Sequence, residues 1–472
     1  MDFTDFRKQG HEVVDWIADY LEGIEEFPVM SQVSPGRILE QLPRGPPAEP
    51  VPFEEILSDF NNIVIPGITH WQHPSFFAYF PANSSPPSVL AEMLTAGLGV
   101  QCMVWQTSPA GTELEQRMME WLRDMIGLPP GFEGVIQDGA STSTLCSILT
   151  ARERAAGYAI NESGMDGVGK LITYSSTETH SSIEKGVKIA GLGRENIRKI
   201  PVDDDYAMIP DELERAIEAD MSAGNTPTCV VATVGTTGST AIDPVKEIGE
   251  ICSRHGVWLH IDAALAGTAL ILPEYRWMID GVENADSFVF NPHKWMFTNF
   301  DCSAYFVKDP GSLRRTFEIT PEYLRTKVDK QVNNYRDWGI QLGRRFRALK
   351  LWFVIRSYGV EGLQRKVRKH LTLAKKLAER ISRSQDFELL APVPLNTICF
   401  RYSPPDIQDE REINAINERL LKDLNRTGEV YMTHTTLDDR YTIRLVVGQT
   451  YIKERHVDRA WELIRKTARS QK

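Results

Sequence analysis

A lysine, an aspartate and a histidine each follow a short apolar stretch of this sequence, and side chains of these types could together hold a reactive aldehyde. Lys294 comes after the apolar residues 287–290, between His293 and Trp295. Burial at the end of a strand costs an ammonium group its hydration, which favours the neutral amine that Schiff-base chemistry requires. The alternative is that Lys294 lies on a solvated loop and covers Trp295 with the aliphatic part of its side chain. The remaining polar residues decide between these two interpretations.

Asp262 follows the apolar residues 257–261 and offers a second chemical group. A carboxylate at the end of a buried strand needs a cation, and the protonated nitrogen of a pyridine ring would be one. Capping a helix is the ordinary alternative for a single aspartate in this position. Taken alone, the residue leaves both interpretations open.

His180 and Thr237 follow two other predicted strands, at residues 170–174 and 228–234. A neutral imidazole could stack on a flat ring and hydrogen-bond a substrate, whereas a lone histidine is more often structural. The threonine lies in a hydroxyl-rich turn, which is ordinary turn chemistry when taken alone.

The small residues at 138–143 lead from a predicted strand into a predicted helix. Ala140 and Ser141 lie where free N–H groups and hydroxyls at the helix start would suit a phosphate. The spacing matches neither a P-loop nor GxGxxG, so it does not indicate a nucleotide site. In chain order, a phosphate-type helix start, a histidine, a threonine turn, an aspartate and a lysine follow successive strands. That order predicts pyridoxal phosphate bound covalently to Lys294.

Strand–helix alternation from 81 to 347 predicts an α/β domain with a mostly parallel sheet, whose ligands bind beyond the carboxyl ends of the strands. Residues 348–472 predict a small α+β domain, with one of its strands at 430–434. The helices of residues 1–80 have apolar faces and no sheet of their own, so we expect them to pack across a homodimer interface. The charged stretch 309–338 predicts a mobile loop that acts as a lid.

The composition limits the partners and the compartment. A net charge of −11 argues against nucleic acid or an anionic membrane as the main partner. The charged start of the chain is unlike a signal peptide, and no apolar run is long enough to span a bilayer. The six cysteines are scattered without a CxxC pair, so neither a metal site nor disulfides are expected. A cytoplasmic protein fits these features best.

Longer motifs run through nearly the whole chain, at residues 69–81, 107–115, 260–264, 291–295, 299–303 and 342–347. Together they resemble the group II pyridoxal-phosphate decarboxylases, and within them the aromatic L-amino-acid decarboxylases. The resemblance implies an aspartate-aminotransferase-like fold (pyridoxal-phosphate fold type I) and an obligate homodimer whose N-terminal helices wrap the partner. It also implies that aromatic amino acids are converted to amines and carbon dioxide.

The resemblance assigns a role to each residue of the site. Lys294 would form the Schiff base, Asp262 would pair with the ring nitrogen, and His180 would stack on the ring and contact the substrate carboxylate. The implied phosphate-binding residues are Ala140, Ser141 and Asn291, with Thr237 beside the cofactor. Tyr323, inside the charged stretch, matches the tyrosine that protonates the substrate Cα from across the dimer.

Tyr323 and His180 also bear on the outcome of the reaction. Related aldehyde synthases, which decarboxylate and oxidatively deaminate, usually carry phenylalanine at the tyrosine position, and some insect members carry asparagine at the histidine position. The tyrosine and histidine found here favour simple decarboxylation. An aldehyde synthase, a transaminase and a catalytically silent protein on the same fold are the alternatives.

The substrate pocket implied by the resemblance is aromatic, and it comprises Trp71, Tyr79, Phe80, Pro81, Ala82, Met103 and Gly343. A glycine at 343 resembles the tryptophan- and dopa-accepting members, whereas tyrosine- and histidine-selective relatives tend to carry serine. The missing side chain leaves room for an indole, so tryptophan is the favoured substrate. Ala82 and Met103 depart from the usual hydroxyl residue and phenylalanine. A flexible methionine permits a broader pocket, so phenylalanine, tyrosine and dopa are further candidates.

Overall fold

The computed structural model describes residues 1–319 and 331–471. Its helices are α1 (Phe3–Glu22), α2 (Arg37–Gln41), α3 (Phe53–Asp59), α4 (Pro86–Leu98), α5 (Pro109–Ile126), α6 (Ala140–Ala155), α7 (Ile160–Ser163), α8 (Ser182–Ile189), α9 (Pro210–Ser222), α10 (Val245–His255), α11 (Pro292–Trp295), α12 (Pro310–Phe317), α13 (Arg347–Ser382), α14 (Glu410–Arg426) and α15 (Glu454–Arg469). Its strands are β1 (Glu133–Gln137), β2 (Leu171–Ser176), β3 (Ile197–Ile200), β4 (Thr226–Thr233), β5 (Trp258–Asp262), β6 (Ser287–Phe290), β7 (Ser303–Val307), β8 (Phe387–Leu389), β9 (Thr397–Tyr402), β10 (Thr433–Leu437) and β11 (Arg440–Val446).

The larger compact unit, residues 82–372 and 391–397, is built on a sheet with the strand order β1-β7-β6-β5-β4-β2-β3. The pairs β6–β5, β5–β4, β4–β2 and β2–β3 are parallel. Strand β7 is antiparallel to both β6 and β1. All residues of β5 are buried, as expected for a strand that is covered on both faces. The prediction of an α/β fold with a mostly parallel sheet is confirmed, and β3 and β7 add strands that the sequence pattern does not predict.

The strand directions bring the candidate residues to one edge of this sheet. Two antiparallel pairings in succession return β1 to the direction of β6, so the carboxyl ends of β1, β2, β4, β5 and β6 point the same way. Thr233, Asp262 and Val289 are register partners on β4, β5 and β6. The loops that follow these strands therefore start side by side.

Helix α6 covers one face of the sheet and contacts β4, β5, β6 and β7. Its apolar side chains Leu145 and Ile148 pack with Val231 and Trp258 of the sheet. Complete burial of one such side chain stabilises the fold by about 1.5–3 kcal/mol. This packing fixes the start of α6, which lies immediately after β1, relative to the strands that carry the other candidate residues.

The second compact unit comprises residues 1–81, 373–390 and 398–472, and its sheet has the order β10-β11-β9-β8. Helix α15 buries Val457, Ala460, Trp461 and Ile464, which recur at helical spacing. The strand predicted at 430–434 is wrong in its bounds, because β10 spans Thr433–Leu437. The main chain of Tyr431 instead forms an isolated parallel bridge with Phe76, which takes this stretch out of the hairpin.

The division of the chain by internal contacts groups the first 81 residues with C-terminal residues. The three-part division at 80/81 and 347/348 remains a prediction. Of the stretch 309–338, residues 309–319 and 331–338 are described, and they include helix α12 and a buried turn at Tyr335–Trp338. The part that would close over a ligand lies outside the described residues. No helix within residues 1–319 and 331–471 has the length and hydrophobicity to cross a membrane.

Candidate active site

Asp262, Lys294 and His180 lie at the shared edge of the sheet in the larger unit. Asp262 is the last residue of β5 and is 5% exposed, Lys294 belongs to α11 directly after β6, and His180 lies between β2 and α8. The pKa of His180 is lowered, first by partial burial and then by the positive charge of Lys294, while the charge of Asp262 opposes the shift. The three groups therefore act on one another electrostatically, as their positions after neighbouring strands predict.

The main chain around Lys294 is held from both sides. Pro292 lies in the first turn of α11, where its fixed φ suits a helix start. The N–H of Asn291 donates to the carbonyl of Ala264 at 3.0 Å, and the N–H of Asn83 donates to the carbonyl of Lys294 at 3.3 Å. These bonds place the lysine between the loop that follows β5 and the start of the larger unit.

His293 joins α11 to the start of β7. Its Nδ1 accepts a hydrogen bond from the N–H of Cys302 at 2.8 Å, and its ring packs on Phe300 with centroids 4.6 Å apart. Burial, assisted by the charge of Lys294, lowers the pKa of His293 to about 3. The ring is therefore neutral at physiological pH, and it fixes the segment beside the lysine.

A buried polar network centred on His260 joins β5 to α6 and β6. His260 lies two residues before Asp262, its Nε2 is 3.2 Å from Thr144 Oγ1, and its Nδ1 is 2.9 Å from Ser287 Oγ. Ser147 Oγ lies 2.9 Å from the same serine oxygen and accepts a bond from the Trp258 indole at 2.8 Å. Burial lowers the pKa of His260 to about 4, so the network carries no charge on the imidazole at neutral pH. It ties α6 to β5 and β6, and each of its five named side chains has a hydrogen-bond partner within the network.

Helix α6 begins just beyond the carboxyl end of β1, at the same edge of the sheet. Gly139 precedes the helix in an extended conformation and has no side chain that could cap the first turn. Helix starts without a side-chain cap leave N–H groups directed along the axis, which suits an anion. Ser141 and Thr237 are exposed, whereas Ala140 is half-buried and Asn291 is buried.

The predicted pocket residues fall in both compact units. Trp71, Tyr79, Phe80 and Pro81 belong to one unit, and Ala82, Met103 and Gly343 belong to the other. The rings of Trp71 and Tyr79 are stacked with centroids 5.7 Å apart, and the Arg444 guanidinium lies 5.0 Å from the centre of the Phe80 ring. Tyr79 adopts a φ of 52°, an uncommon conformation for a residue with a side chain.

The remaining pocket residues are described within the larger unit. Met103 is half-buried, and its carbonyl accepts the N–H of Arg336 at 2.9 Å. Gly343 is exposed, and a Cβ added there would meet Gln101 Oε1 at 3.5 Å, an ordinary contact distance. Ala82 is half-buried. Tyr323, the predicted proton donor, lies outside the described residues.

Sequence patterns give no role to Ser182, His260 and His293, all three of which contact or support predicted site residues. A hydroxyl two residues after His180 is the signal that could have indicated Ser182, since such a spacing permits a local side-chain bond. The His260 network offers no local signal, because its partners come from α6, β5 and β6.

The donor set fits a phosphorylated pyridine aldehyde. An amine for the aldehyde, a carboxylate for the ring nitrogen and an uncapped helix start for the phosphate lie after parallel strands at one sheet edge. These features and the sheet define a pyridoxal-phosphate enzyme of fold type I.

Comparison with known proteins agrees with this class. Residues 35–403 match the pyridoxal-dependent decarboxylase conserved domain. Phenylacetaldehyde synthase of Petunia hybrida is 43% identical, with 99% of this chain and 95% of that protein covered. Tryptophan decarboxylase 2 of Oryza sativa subsp. japonica is 42% identical over 99% of this chain and 95% of that protein. The crystal structure of Oryza sativa TDC with PLP and tryptamine superposes with a TM-score of 0.97, at 36% identity, over 100% of this chain and 99% of that one.

This protein belongs to the pyridoxal-dependent decarboxylase family, as the sequence motifs predict. Its cofactor is pyridoxal phosphate. The relatives carry the names of two different reactions, decarboxylation to an amine and formation of an aldehyde, so the family alone leaves the product open.

Proposed function

We propose that this protein decarboxylates aromatic L-amino acids to the corresponding amines and carbon dioxide. The observation that carries the proposal is the grouping of Lys294, Asp262 and His180 at one sheet edge. The similarity to a tryptophan decarboxylase over 99% of the chain supports an aromatic substrate. A silent protein on the same fold would have no need to keep a lysine, a carboxylate and an imidazole in mutual electrostatic contact.

Each side chain then has a definite task. Bound pyridoxal phosphate supplies an aldehyde for the amine and a ring that accepts the electrons left by the departing carboxyl group. Lys294 would hold the aldehyde through its amine until a substrate amine replaces it. Asp262 would keep a proton on the ring nitrogen, since a buried carboxylate favours a cation beside it. The phosphate would be held by the start of α6 together with Ala140, Ser141 and Asn291, with Thr237 beside it.

His180 and Tyr323 act on the substrate. His180 would lie against the ring of the cofactor and donate a hydrogen bond to the substrate carboxylate. Tyr323 returns a proton to the substrate Cα after carbon dioxide has left, which is general acid catalysis by a placed phenol. Because the tyrosine lies outside the described residues, its role rests on the sequence resemblance.

The test is a panel of tryptophan, phenylalanine, tyrosine and dopa, each incubated with the protein and pyridoxal phosphate. We expect amine and carbon dioxide in equal amounts, identified by mass. Release of hydrogen peroxide and ammonia with an aldehyde would identify an aldehyde synthase, and a stoichiometric need for a keto acid would identify a transaminase. No product from any of the four amino acids would contradict the proposal.

An aldehyde synthase is the second candidate, because a phenylacetaldehyde synthase is 43% identical to this chain. Tyr323 favours the amine. In the Tyr323→Phe variant no phenol would be placed to return a proton to the substrate Cα, so molecular oxygen could compete with protonation. We expect amine formation to fall by about 100-fold or more, as for other losses of a placed acid, and aldehyde to appear. Products are quantified by mass spectrometry, and an unchanged ratio of amine to aldehyde would remove Tyr323 from the mechanism.

Tryptophan is the proposed preferred substrate, because Gly343 leaves one pocket wall without a side chain. In the Gly343→Ser variant the added Cβ would meet Gln101 Oε1 at 3.5 Å, so the backbone tolerates the change and the effect falls on the pocket. We expect kcat/KM for tryptophan to fall about 10-fold or more relative to tyrosine, because a lost cavity for part of an indole costs about 1–3 kcal/mol. Gly343→Ala separates bulk from the hydroxyl, and an unaltered substrate ranking in both variants would contradict the pocket assignment.

We infer that the protein works as a homodimer with its sites at the interface. Helices α1 and α3 expose large apolar side chains, among them Phe3 at 86%, Phe6 at 64% and Ile56 at 52%. Helix α4 likewise exposes Leu90 and Leu98. Large apolar side chains exposed in each of the two units support an interface with a second copy of the chain. The cytoplasmic location remains a prediction from the sequence.

A further inference from the structure

Ser182 makes two contacts with one nitrogen of the His180 ring. It is the first residue of α8, two positions after the histidine, and is 6% exposed. The N–H of Ser182 donates to His180 Nδ1 at 3.2 Å, and Ser182 Oγ lies 2.8 Å from the same nitrogen. The histidine itself is exposed, so the serine holds the ring at Nδ1 while part of the side chain stays accessible.

These contacts determine the tautomer of His180. A backbone N–H can only donate, so Nδ1 must present its lone pair. The Ser182 hydroxyl then also donates to Nδ1. A neutral imidazole with an unprotonated Nδ1 carries its proton on Nε2, which makes Nε2–H the donor that the ring offers to a ligand.

We propose that Ser182 is a positioning residue that holds His180 as the neutral Nε2–H tautomer and thereby directs a neutral donor at the substrate carboxylate. The proposal rests on the proposed decarboxylase function. It extends that function, because it states which atom and which charge state of the histidine meet the carboxylate.

The neutral state has a catalytic reason. A carboxylate loses its negative charge as carbon dioxide departs, so a cation beside it stabilises the bound substrate more than the transition state. A neutral N–H orients the carboxylate as well, but it stabilises the bound substrate less, relative to the transition state, than a cation does. Decarboxylation therefore benefits from a histidine that binds without a full positive charge.

The surroundings of His180 favour that state. The charged groups that act on the ring are Asp262 of β5, Lys294 of α11 and Lys185 of α8. Partial burial and the two lysines lower the pKa of the ring, and the aspartate opposes them. Donation by Ser182 to Nδ1 stabilises the neutral ring further, because protonation of Nδ1 would break the bond from the Ser182 N–H and would force the hydroxyl to turn from donor to acceptor.

The test compares Ser182→Ala and Ser182→Thr with Ser181→Ala in the holoenzyme. Ser181 is the matched control, since it is exposed and makes no side-chain capping bond to α8. Loss of the Ser182 hydroxyl lets the pKa of His180 rise, so protonation begins at higher pH. We expect the acid limb of the kcat/KM profile to move up by about 0.5–1 pH unit in Ser182→Ala. In Ser182→Thr and Ser181→Ala the acid limb of the kcat/KM profile should lie at the same pH as in the unsubstituted protein.

A second measurement reads the ring directly. Nitrogen NMR of histidine-labelled holoenzyme, assigned by the signals lost in His180→Gln, should show a protonated Nε2 and an unprotonated Nδ1. In Ser182→Ala we expect the Nδ1 signal to titrate at higher pH. A purely structural serine would lower the melting temperature without moving either the acid limb or these signals.

Two results would overturn the proposal. One is a protonated Nδ1 on His180 in the unsubstituted protein, which decides the matter even if the alanine variant does not fold. The other is an acid limb and a set of nitrogen signals in Ser182→Ala that equal those of Ser181→Ala. If the unsubstituted protein released no amine in the substrate panel, the decarboxylase function would fail, while the NMR measurement would still decide the tautomer.

Discussion

The Lys294→Ala variant is expected to form no detectable amine from any aromatic amino acid. Its side chain supplies the only amine that α11 places beside Asp262 and His180 among the described residues of that helix. Without Lys294 the cofactor aldehyde would have no lysine amine to bind. The substrate amine would then have to react with the free aldehyde, and this reaction is slower than replacement of a bound lysine. Turnover is followed by mass spectrometry of the amine at saturating pyridoxal phosphate.

A readout other than turnover separates covalent binding from catalysis. Borohydride makes the bond between lysine and cofactor permanent, so the peptide that contains Lys294 should gain the mass of the cofactor in the unsubstituted protein and not in the variant. Lys188→Ala is the matched control, because Lys188 is an exposed lysine on α8. Amine formation retained by Lys294→Ala, or cofactor fixed on another lysine, would contradict the assigned role.

The second large effect is expected for Asp262→Asn. Asparagine keeps the shape of the side chain and its ability to accept the Ala264 N–H, which Asp262 Oδ1 now receives at 3.0 Å. It loses the negative charge that holds a proton on the ring nitrogen. A hydrogen bond to a charged partner contributes about 1.5–3 kcal/mol, which corresponds to about a 10- to 150-fold fall in kcat.

Asp262→Glu is the companion variant, since it keeps the charge and alters only the reach of the side chain. It should retain more activity than Asp262→Asn, and the cofactor affinity measured by equilibrium dialysis should follow the same order. Equal activity of the asparagine variant and the unsubstituted protein would mean that Asp262 is a structural cap, the alternative that its position permits.

The local patterns of the sequence predict the central strands β1, β2, β4, β5 and β6, because each contains a short apolar run that is buried in the sheet. The positions of Asp262 and Lys294 follow from those runs, since a residue after a parallel strand must lie at its carboxyl edge. The insertion of β7 between β1 and β6 could not be predicted, because the pairing of β7 with β1 joins segments far apart in the chain. The strand at 430–434 was misplaced for a related reason: Tyr431 pairs with Phe76, more than 300 positions away.

The same limit applies to the supporting residues of the site. Thr144, His260 and Ser287 are ordinary in their local contexts, and only the packing of α6 on the sheet brings them within hydrogen-bonding distance. Ser182 is different, because its contact with His180 spans two positions and is determined by the local backbone. Contacts between residues that are close in the chain can be predicted from the sequence, whereas contacts that depend on the strand order can be seen only in the structure.

The wide separation of Ala140 and Lys294 along the chain has a consequence for the lifetime of the protein. If the cofactor is held at both places, it binds only the folded chain, because the two segments separate on unfolding, and it then stabilises the folded state more as its concentration rises. The cofactor-free form would then open more often and be cut sooner by proteases. Vitamin supply would thereby set how long each molecule survives as well as how many are active.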